Sequence, residues 1–361
     1  MSKLDKKDLD IVKAIDEYGP KFSTQSLSKI LNIPSRTIRY RIFKLKEKGY
    51  LKPLRVTTHE RKIGLGENLI LLNTNQNKEK DLIRFFEKIP YIYYYNSTYG
   101  KFNGYLARFI FSLKVPNINL DLLEAMKEKD IISDFYIFEI IDYKIKNKNL
   151  TFYDPNKGWA WDWDKWYDKI KNCLKTKSKT FEFTTMEDIK LEDFDYKDIL
   201  LLKNMYENAS ITLKELKNIL NLSETQIGKR IHRLEEKEII KAYYYDYSLI
   251  RNKELIYFYC FFEIEEYVNN VLSCLYQLPY DFAILIESSH KFCISLKLDA
   301  NDYKKFLKGF DLLRPLLKSY FFQFTYSQAK RNVNQLYDLF NKKTNSWETP
   351  IKDYISLIKK E

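Results

Sequence analysis

The sequence predicts an α+β chain of two winged helix-turn-helix domains, each followed by a ferredoxin-like βαββαβ sandwich. Three observations predict it. Residues 30–48 return as residues 219–237, a shift of 189 without a gap, and Ile30, Leu31, Asn32, Ile38, Arg41, Ile42, Leu45, Glu47 and Lys48 all recur. A period this long marks a duplicated domain pair, because solenoid repeats run ~20–50 residues. Each copy opens on three short amphipathic helical patterns with a tight turn before the third. Behind each, the apolar pattern alternates strand and helix, the signature of a sheet covered by helices.

In copy 1, Leu9, Val12 and Ile15 form one apolar face. Ser23 or Thr24 is suited to cap a second helix holding Leu27, Ile30 and Leu31. The turn through Pro34 leads into a third helix over 36–48, with Ser35 as an alternative cap, and Gly49 stands where a helix end favours positive φ. Copy 2 repeats the pattern through Ile199, Leu202 and Met205, then 212–220, then 223–237, where Ser223 and Gln226 fit a capping box. Residues 50–58 and 239–245 are β-prone and stand where a wing would be, the first running into the charged His59, Glu60, Arg61 and Lys62.

The first sandwich reads as strand 68–73, helix 78–89, strands 91–97 and 105–113, helix 120–129 and strand 132–143. The second reads as strand 254–264, helix 266–278, strands 282–287 and 292–298, helix 302–318 and strand 320–326. A Trp-rich tail with Trp159, Trp161, Trp163 and Trp166 follows the first sandwich, and a shorter one with Trp347 follows the second. Such aromatics more often cover a neighbouring sheet's open face than stack on bases. The expected domains are 1–62, 63–150, a tail and linker at 151–193 with its polar connector at 175–190, then 194–250, 251–330 and a tail at 331–361.

Composition narrows the function classes. Nine glycines form no phosphate-cradling loop, and Cys173, Cys260, Cys274 and Cys293 form no CxxC pair, which argues against a structural zinc site. No cofactor, metal or catalytic residue is expected. No apolar run reaches ~18 residues, so a cytoplasmic protein with reduced thiols and no membrane contact is expected. The abundant Tyr, Phe, Lys, Ile and Asn suit an AT-rich genome, and an archaeal source fits. Net charge is +12, and residues 1–62 hold sixteen Lys/Arg against seven Asp/Glu, while residues 195–251 hold ten against nine. The basic excess therefore sits in the first head, which points to nucleic acid there.

With Ile38, Ile42 and Leu45 turned inward, the opposite face of the third helix carries Arg36, Tyr40, Phe43, Lys44 and Glu47, with Thr37 at its edge. Arg36 and Tyr40 are the candidates for base edges. Lys44, Arg39 and Lys48 are the candidates for phosphate, with Arg55, Arg61 and Lys62 on the wing. In copy 2, Gln226 suits adenine, and Lys229 and Arg233 suit phosphate. Arg41 and Arg230 lie nearer the core, where an ion pair with an acidic neighbour competes with DNA contact.

These residues carry a resemblance. Leu4, Asp5 and Asp8, the run 27–33, Arg41 with Leu45 to Gly49, and Lys62 to Leu65 resemble the leucine-responsive/asparagine-synthetase regulator (Lrp/AsnC) family. In copy 2, Asp195, Asp198 and residues 230–241 do the same. The resemblance covers residues 4–145 and 194–328 and leaves the tails outside. It implies a winged helix-turn-helix joined to a βαββαβ effector and assembly domain, here twice in one chain. Function is expected to be that of a sequence-specific, double-stranded-DNA-binding transcription regulator acting as a single-chain pseudo-dimer, open to further self-association. It also implies a small-molecule effector such as an amino acid near the turn after the second sandwich strand, with Tyr99, Gly100 and Gly104 as candidate contacts. Copy 2 has no glycine at the matching turn, residues 288–291. Two other readings exist. Some haem-pathway decarboxylases resemble this family, and such an enzyme would draw on Tyr95, Asn96, Tyr99, Arg108 or His290. A non-specific architectural DNA binder is the third.

Overall fold

The computed structural model describes residues 4–19, 22–154, 158–173, 181–247, 255–325, 330–331 and 336–360. Head 1 is α1 (Lys6–Tyr18), α2 (Thr24–Leu31), α3 (Ser35–Glu47) and β1 (Leu51–Thr58). Asp5 and Asp8 close a capping box on α1, and Ser23 caps α2. Pro34 precedes α3 with no side-chain cap, so Ser35 is the first helical residue and not the cap. Gly49 takes φ +73°, as expected of a helix end.

Sandwich 1 is β2 (Leu65–Thr74), α4 (Glu79–Lys88), β3 (Ile92–Gly100), β4 (Gly104–Ser112), α5 (Ile118–Glu128) and β5 (Ile132–Ile140). The single strand expected over 132–143 breaks at Ile141, and β6 (Asp142–Lys146) leaves in a new direction. The first tail holds the short pair β7 (Tyr153–Asp154) and β8 (Gly158–Trp159), then α6 (Trp163–Cys173). Part of the expected connector, residues 174–180, lies outside the described residues.

Head 2 is α7 (Tyr196–Glu207), α8 (Leu213–Leu220), α9 (Glu224–Glu236) and β9 (Ile240–Tyr247), with the expected Ser223–Gln226 capping box. Sandwich 2 is β10 (Leu255–Ile264), α10 (Val268–Tyr276), β11 (Phe282–Ile286), β12 (Lys291–Asp299), α11 (Ala300–Leu313) and β13 (Leu317–Thr325). The second tail holds β14 (Lys330–Arg331), the pair β15 (Phe340–Asn341) and β16 (Ser346–Trp347), and α12 (Ile351–Lys360).

The halves are interleaved. The two wing strands pair with each other, β1 against β9, with Val56 opposite Tyr243 and Arg55 opposite Tyr244. The strands run in the order β5-β2-β4-β3-β13-β10-β12-β11-β6. Thus β3 and β13 join the sandwiches edge to edge, and β6 crosses to pair with β11 of the other half. Joined edges leave fewer unpaired backbone groups to template aggregation. Helices cover one face of each sheet, and the remaining apolar faces must be buried elsewhere. They meet in a shared cluster of Leu69, Leu71, Leu106 and Phe138 with Tyr259, Phe261, Leu285 and Cys293. Cys260, Cys274 and Cys293 are buried, and none forms a disulfide among the described residues.

Each tail packs on the opposite sandwich. In α6, Trp166 stacks near Phe306 and donates its indole N–H to the Cys274 carbonyl at 2.9 Å. It lies so close over Gly309 that a Cβ there would sit 2.0 Å from its ring. Trp347 of the second tail donates to the Ile63 carbonyl at 2.6 Å, and Tyr354 of α12 meets Tyr91 edge-on. The tails therefore cover the helical side of a sandwich. The open sheet faces, where the sequence reading put them, are already spent on one another. Among the described residues no helix is long and apolar enough to cross a membrane.

Candidate functional site

The recognition-helix residues separate by surroundings. Arg36, Arg39, Tyr40, Lys48, Gln226 and Lys229 are exposed, while Thr37 and Lys44 are partly buried. Lys44 pairs with Glu47 at 2.7 Å, one turn along its own helix. Arg41 bridges Asp5 and Asp8 at 2.7 Å, and Arg230 bridges Asp195 and Asp198 at 2.8 and 2.7 Å, so both are structural ion pairs. Arg233 also turns inward, paired with the fully buried Asp198, because that carboxylate demands charge compensation. Its assignment to phosphate is corrected accordingly.

No free wing carries the other predicted contacts. Arg55 lies partly buried in the β1–β9 ribbon. Arg61 is buried and paired with Glu139, and Lys62 donates to the Lys237 carbonyl at 2.9 Å. The candidate effector turn is filled by protein. The amide of Phe102 donates to Gln323 Oε1 at 3.1 Å, and Gln323 donates back to the Phe102 carbonyl. Gly100 and Gly104 allow close backbone approach: a Cβ would lie 2.6 Å from the Phe322 carbonyl at Gly100 and 2.3 Å from Thr74 Oγ1 at Gly104. Tyr99 points out, 57% exposed.

Polar chemistry concentrates where head and sandwich meet in the first half. Glu67, the one charged residue of β2, is 4% exposed. It accepts a hydrogen bond from the Tyr93 hydroxyl and lies 2.5 Å from the Arg108 guanidinium. That guanidinium sits over the Tyr93 ring, 5.5 Å from its centroid. Burial opposes the charge on Arg108, but Glu67 outweighs it and holds its pKa above the usual range. Burial raises the Tyr93 hydroxyl well above its ordinary value.

Beside this pair, the turn joining β1 to β2 supplies His59 and Glu60. Thr58 donates to Glu60 Oε1 at 2.9 Å. Burial, and next the negative charge of Glu67, push the Glu60 carboxyl up to about 7. Burial, and next the Lys241 ammonium, push His59 down to about 4, and its Nε2 is buried without a partner among the described residues. From the other half, β9 sends Lys241 to an ion pair with Asp142, and it donates to the Tyr143 carbonyl at 2.9 Å. Burial works against ionisation of Asp142, and Lys241 reverses that, so its pKa is lowered. The Tyr143 hydroxyl donates to the Thr58 carbonyl at 2.8 Å. These groups enclose a cavity with about 10 Å³ of free volume, room for one water molecule.

Of the residues proposed for an enzymatic reading, only Arg108 belongs to this cluster. Asn96 is buried elsewhere on β3, and His290 faces the Ile264 carbonyl from an exposed turn. Glu60 and Glu67 were missed. A lone carboxylate inside the apolar run 65–72 was the available signal.

Residues 4–52 and 194–241 each match the family model for winged helix-turn-helix DNA-binding domains. The crystal structure of the siroheme decarboxylase NirDL aligns over 98% of this chain and 99% of its own, with TM-score 0.56 and 13% identity. The fold shared with that structure is a tandem of winged helix-turn-helix and ferredoxin-like domains. The same decarboxylase in co-complex with an iron-uroporphyrin III analogue aligns over 90% and 92%, with TM-score 0.54 and 13% identity. LrpC of B. subtilis, one copy long, aligns over 41% of this chain and 100% of its own, with TM-score 0.32 and 15% identity. A search of curated proteins gives no match. The expectation of a non-enzymatic transcription regulator is corrected here, because the architecture that matches end to end, both tails included, is that of an enzyme.

Proposed function

We propose that this chain is an enzyme of the siroheme-decarboxylase type, removing carboxylate from an iron tetrapyrrole. The observation that carries the reading is the end-to-end likeness to NirDL, which extends through both heads and both tails. The buried cluster supports it. Decarboxylation needs a cation to hold acidic substrate arms and a proton for the carbon that loses CO2. Arg108 and the Glu60–Glu67 pair are groups of those two kinds, side by side. The heads serve this reading as walls of the site. Head 2 buries Ile199, Leu202, Ile227 and Leu234 in the same apolar cluster as Ile70 and Phe109 of sandwich 1, and Lys241 reaches the cavity from its strand.

With about 10 Å³ free, the cavity is far too small for a tetrapyrrole, so binding requires its lining to part. Titration of the purified chain with iron-uroporphyrin III, followed by absorbance, tests the reading. A saturable spectral shift is expected, with stepwise loss of carboxyl groups seen by mass spectrometry after incubation with siroheme. A chain that leaves both spectra unchanged overturns it.

A further inference from the structure

We propose that Glu60 is the proton donor of this reaction, with Glu67 as the neighbour that keeps it protonated; the inference rests on the decarboxylase reading above. The argument starts from charge pairing. The other two carboxylates lining the cavity have their own cations: Glu67 has Arg108 and Asp142 has Lys241, while Arg61 in the lining is held by Glu139. Glu60 has no ion pair among the described residues and accepts a hydrogen bond from the Thr58 hydroxyl. A carboxylate left in a mostly closed space without a cation takes up a proton instead. An adjacent ionised carboxylate strengthens that preference, as in carboxyl pairs that share one proton.

The groups facing Glu60 come from every element around it. From its own turn these are His59, held neutral by burial, and Arg61, engaged by Glu139. From β2 it is Glu67, and from β6 they are Asp142 and Tyr143. Lys241 comes from β9, and the second tail brings Tyr337, whose hydroxyl pKa is raised by burial and then by Glu60. Lys241 pulls the Glu60 pKa down, but burial and the Glu67 charge outweigh it. The hydroxyls of Tyr143 and Tyr93 are held protonated far above neutral pH, which leaves Glu60 as the acid of suitable strength.

The step balances without an oxidant. The bond between the substrate carbon and its carboxylate breaks, CO2 leaves, and the electron pair stays on carbon. The Glu60 O–H proton moves to that carbon, leaving Glu60 as a carboxylate that regains a proton from water.

The test compares wild type, Glu60→Gln and Thr58→Val on iron-tetrapyrrole binding and single-turnover decarboxylation across pH. Glu60→Gln keeps the size and neutrality of the acid but cannot give up a proton. It should bind within about threefold of wild type and turn over at least ~100-fold more slowly. Wild-type rate should fall as pH rises through about 7, where Glu60 ionises. Thr58→Val removes a hydrogen bond that favours the ionised form, so the fall should move to higher pH. A Glu60→Gln enzyme with wild-type rate and pH profile overturns this assignment alone. Wild type that neither binds nor turns over tetrapyrrole overturns the functional reading, and this inference with it.

Discussion

The two halves share one backbone plan and differ in what they bury. The first strands of the two sandwiches, β2 and β10, are each ten residues long. By position along them, Glu67 falls where the second half has Tyr257. Arg108 pairs with Leu69, and the matching partner of Tyr259 is Ser295. One half thus carries an ion pair in its interior and the other carries hydroxyls. The heads divide the opposite way. Arg230 and Arg233 of the second head lock onto a fully buried Asp198, while Arg41 of the first head bridges the partly exposed Asp5 and Asp8. Duplication gave two equivalent frames, and side-chain chemistry set a fully buried acid beneath one head and an ion pair inside one sandwich.

Substitutions can break this comparison. Arg108→Met strands the Glu67 charge in the interior and should cost about 3–5 kcal/mol in urea unfolding. Ser295→Ala at the matching place should cost less than about 1 kcal/mol. Equal losses would mean the halves do not differ energetically. Trp166→Ala, which empties the space over Gly309, should cost about 3–5 kcal/mol. In the heads, Arg230→Ala should cost about 3 kcal/mol because Asp198 is fully buried, and Arg41→Ala about 1 kcal/mol or less because Asp5 is exposed.

Acidity sharpens the contrast further. Folding raises the Glu60 carboxyl from its ordinary 4.5 to about 7. Its contribution is therefore fully present below pH 4.5 and is lost as pH rises toward 7. Glu60→Gln should then gain stability relative to wild type across that window, as measured by thermal unfolding at fixed ionic strength. A gap independent of pH would show that Glu60 keeps an ordinary pKa.

The smallest effect concerns the helix ends after α3 and α9. Gly49 takes φ +73°, and Glu238, its counterpart, takes φ +52° against the usual preference of a side-chain-bearing residue. Gly49→Ala should cost about 1 kcal/mol. Glu238→Gly should change stability by less than about 0.5 kcal/mol, because relief of strain is offset by loss of the Lys62 contact at 3.1 Å.

Much of this fold was legible in the sequence. The recurrence of Asn32 as Asn221, both left-handed in the structure, marked the duplication and the turn before each third helix. Apolar periodicity located the strands to within a few residues. What periodicity cannot carry is the identity of a strand's partner. Residues 51–58 read as a local wing, yet they pair with residues 240–247. Backbone hydrogen bonding is blind to sequence distance once a long chain has folded back. The site was hidden for a related reason. Glu60, Glu67, Arg108, Asp142 and Lys241 come from four strands and a turn, so no linear motif joins them. Arg233 misled in the other direction, because helical position alone does not show a buried acid beneath it.

The crossing of the tails has a consequence for how such a chain changes over time. With each half clasped by the terminal helix of the other, unlike halves are always matched one to one, and pairing of like with like is prevented within the molecule. Two separate subunits would have to maintain that discrimination at every encounter. Covalent fusion removes the requirement, so either half can lose an ancestral task without losing its companion.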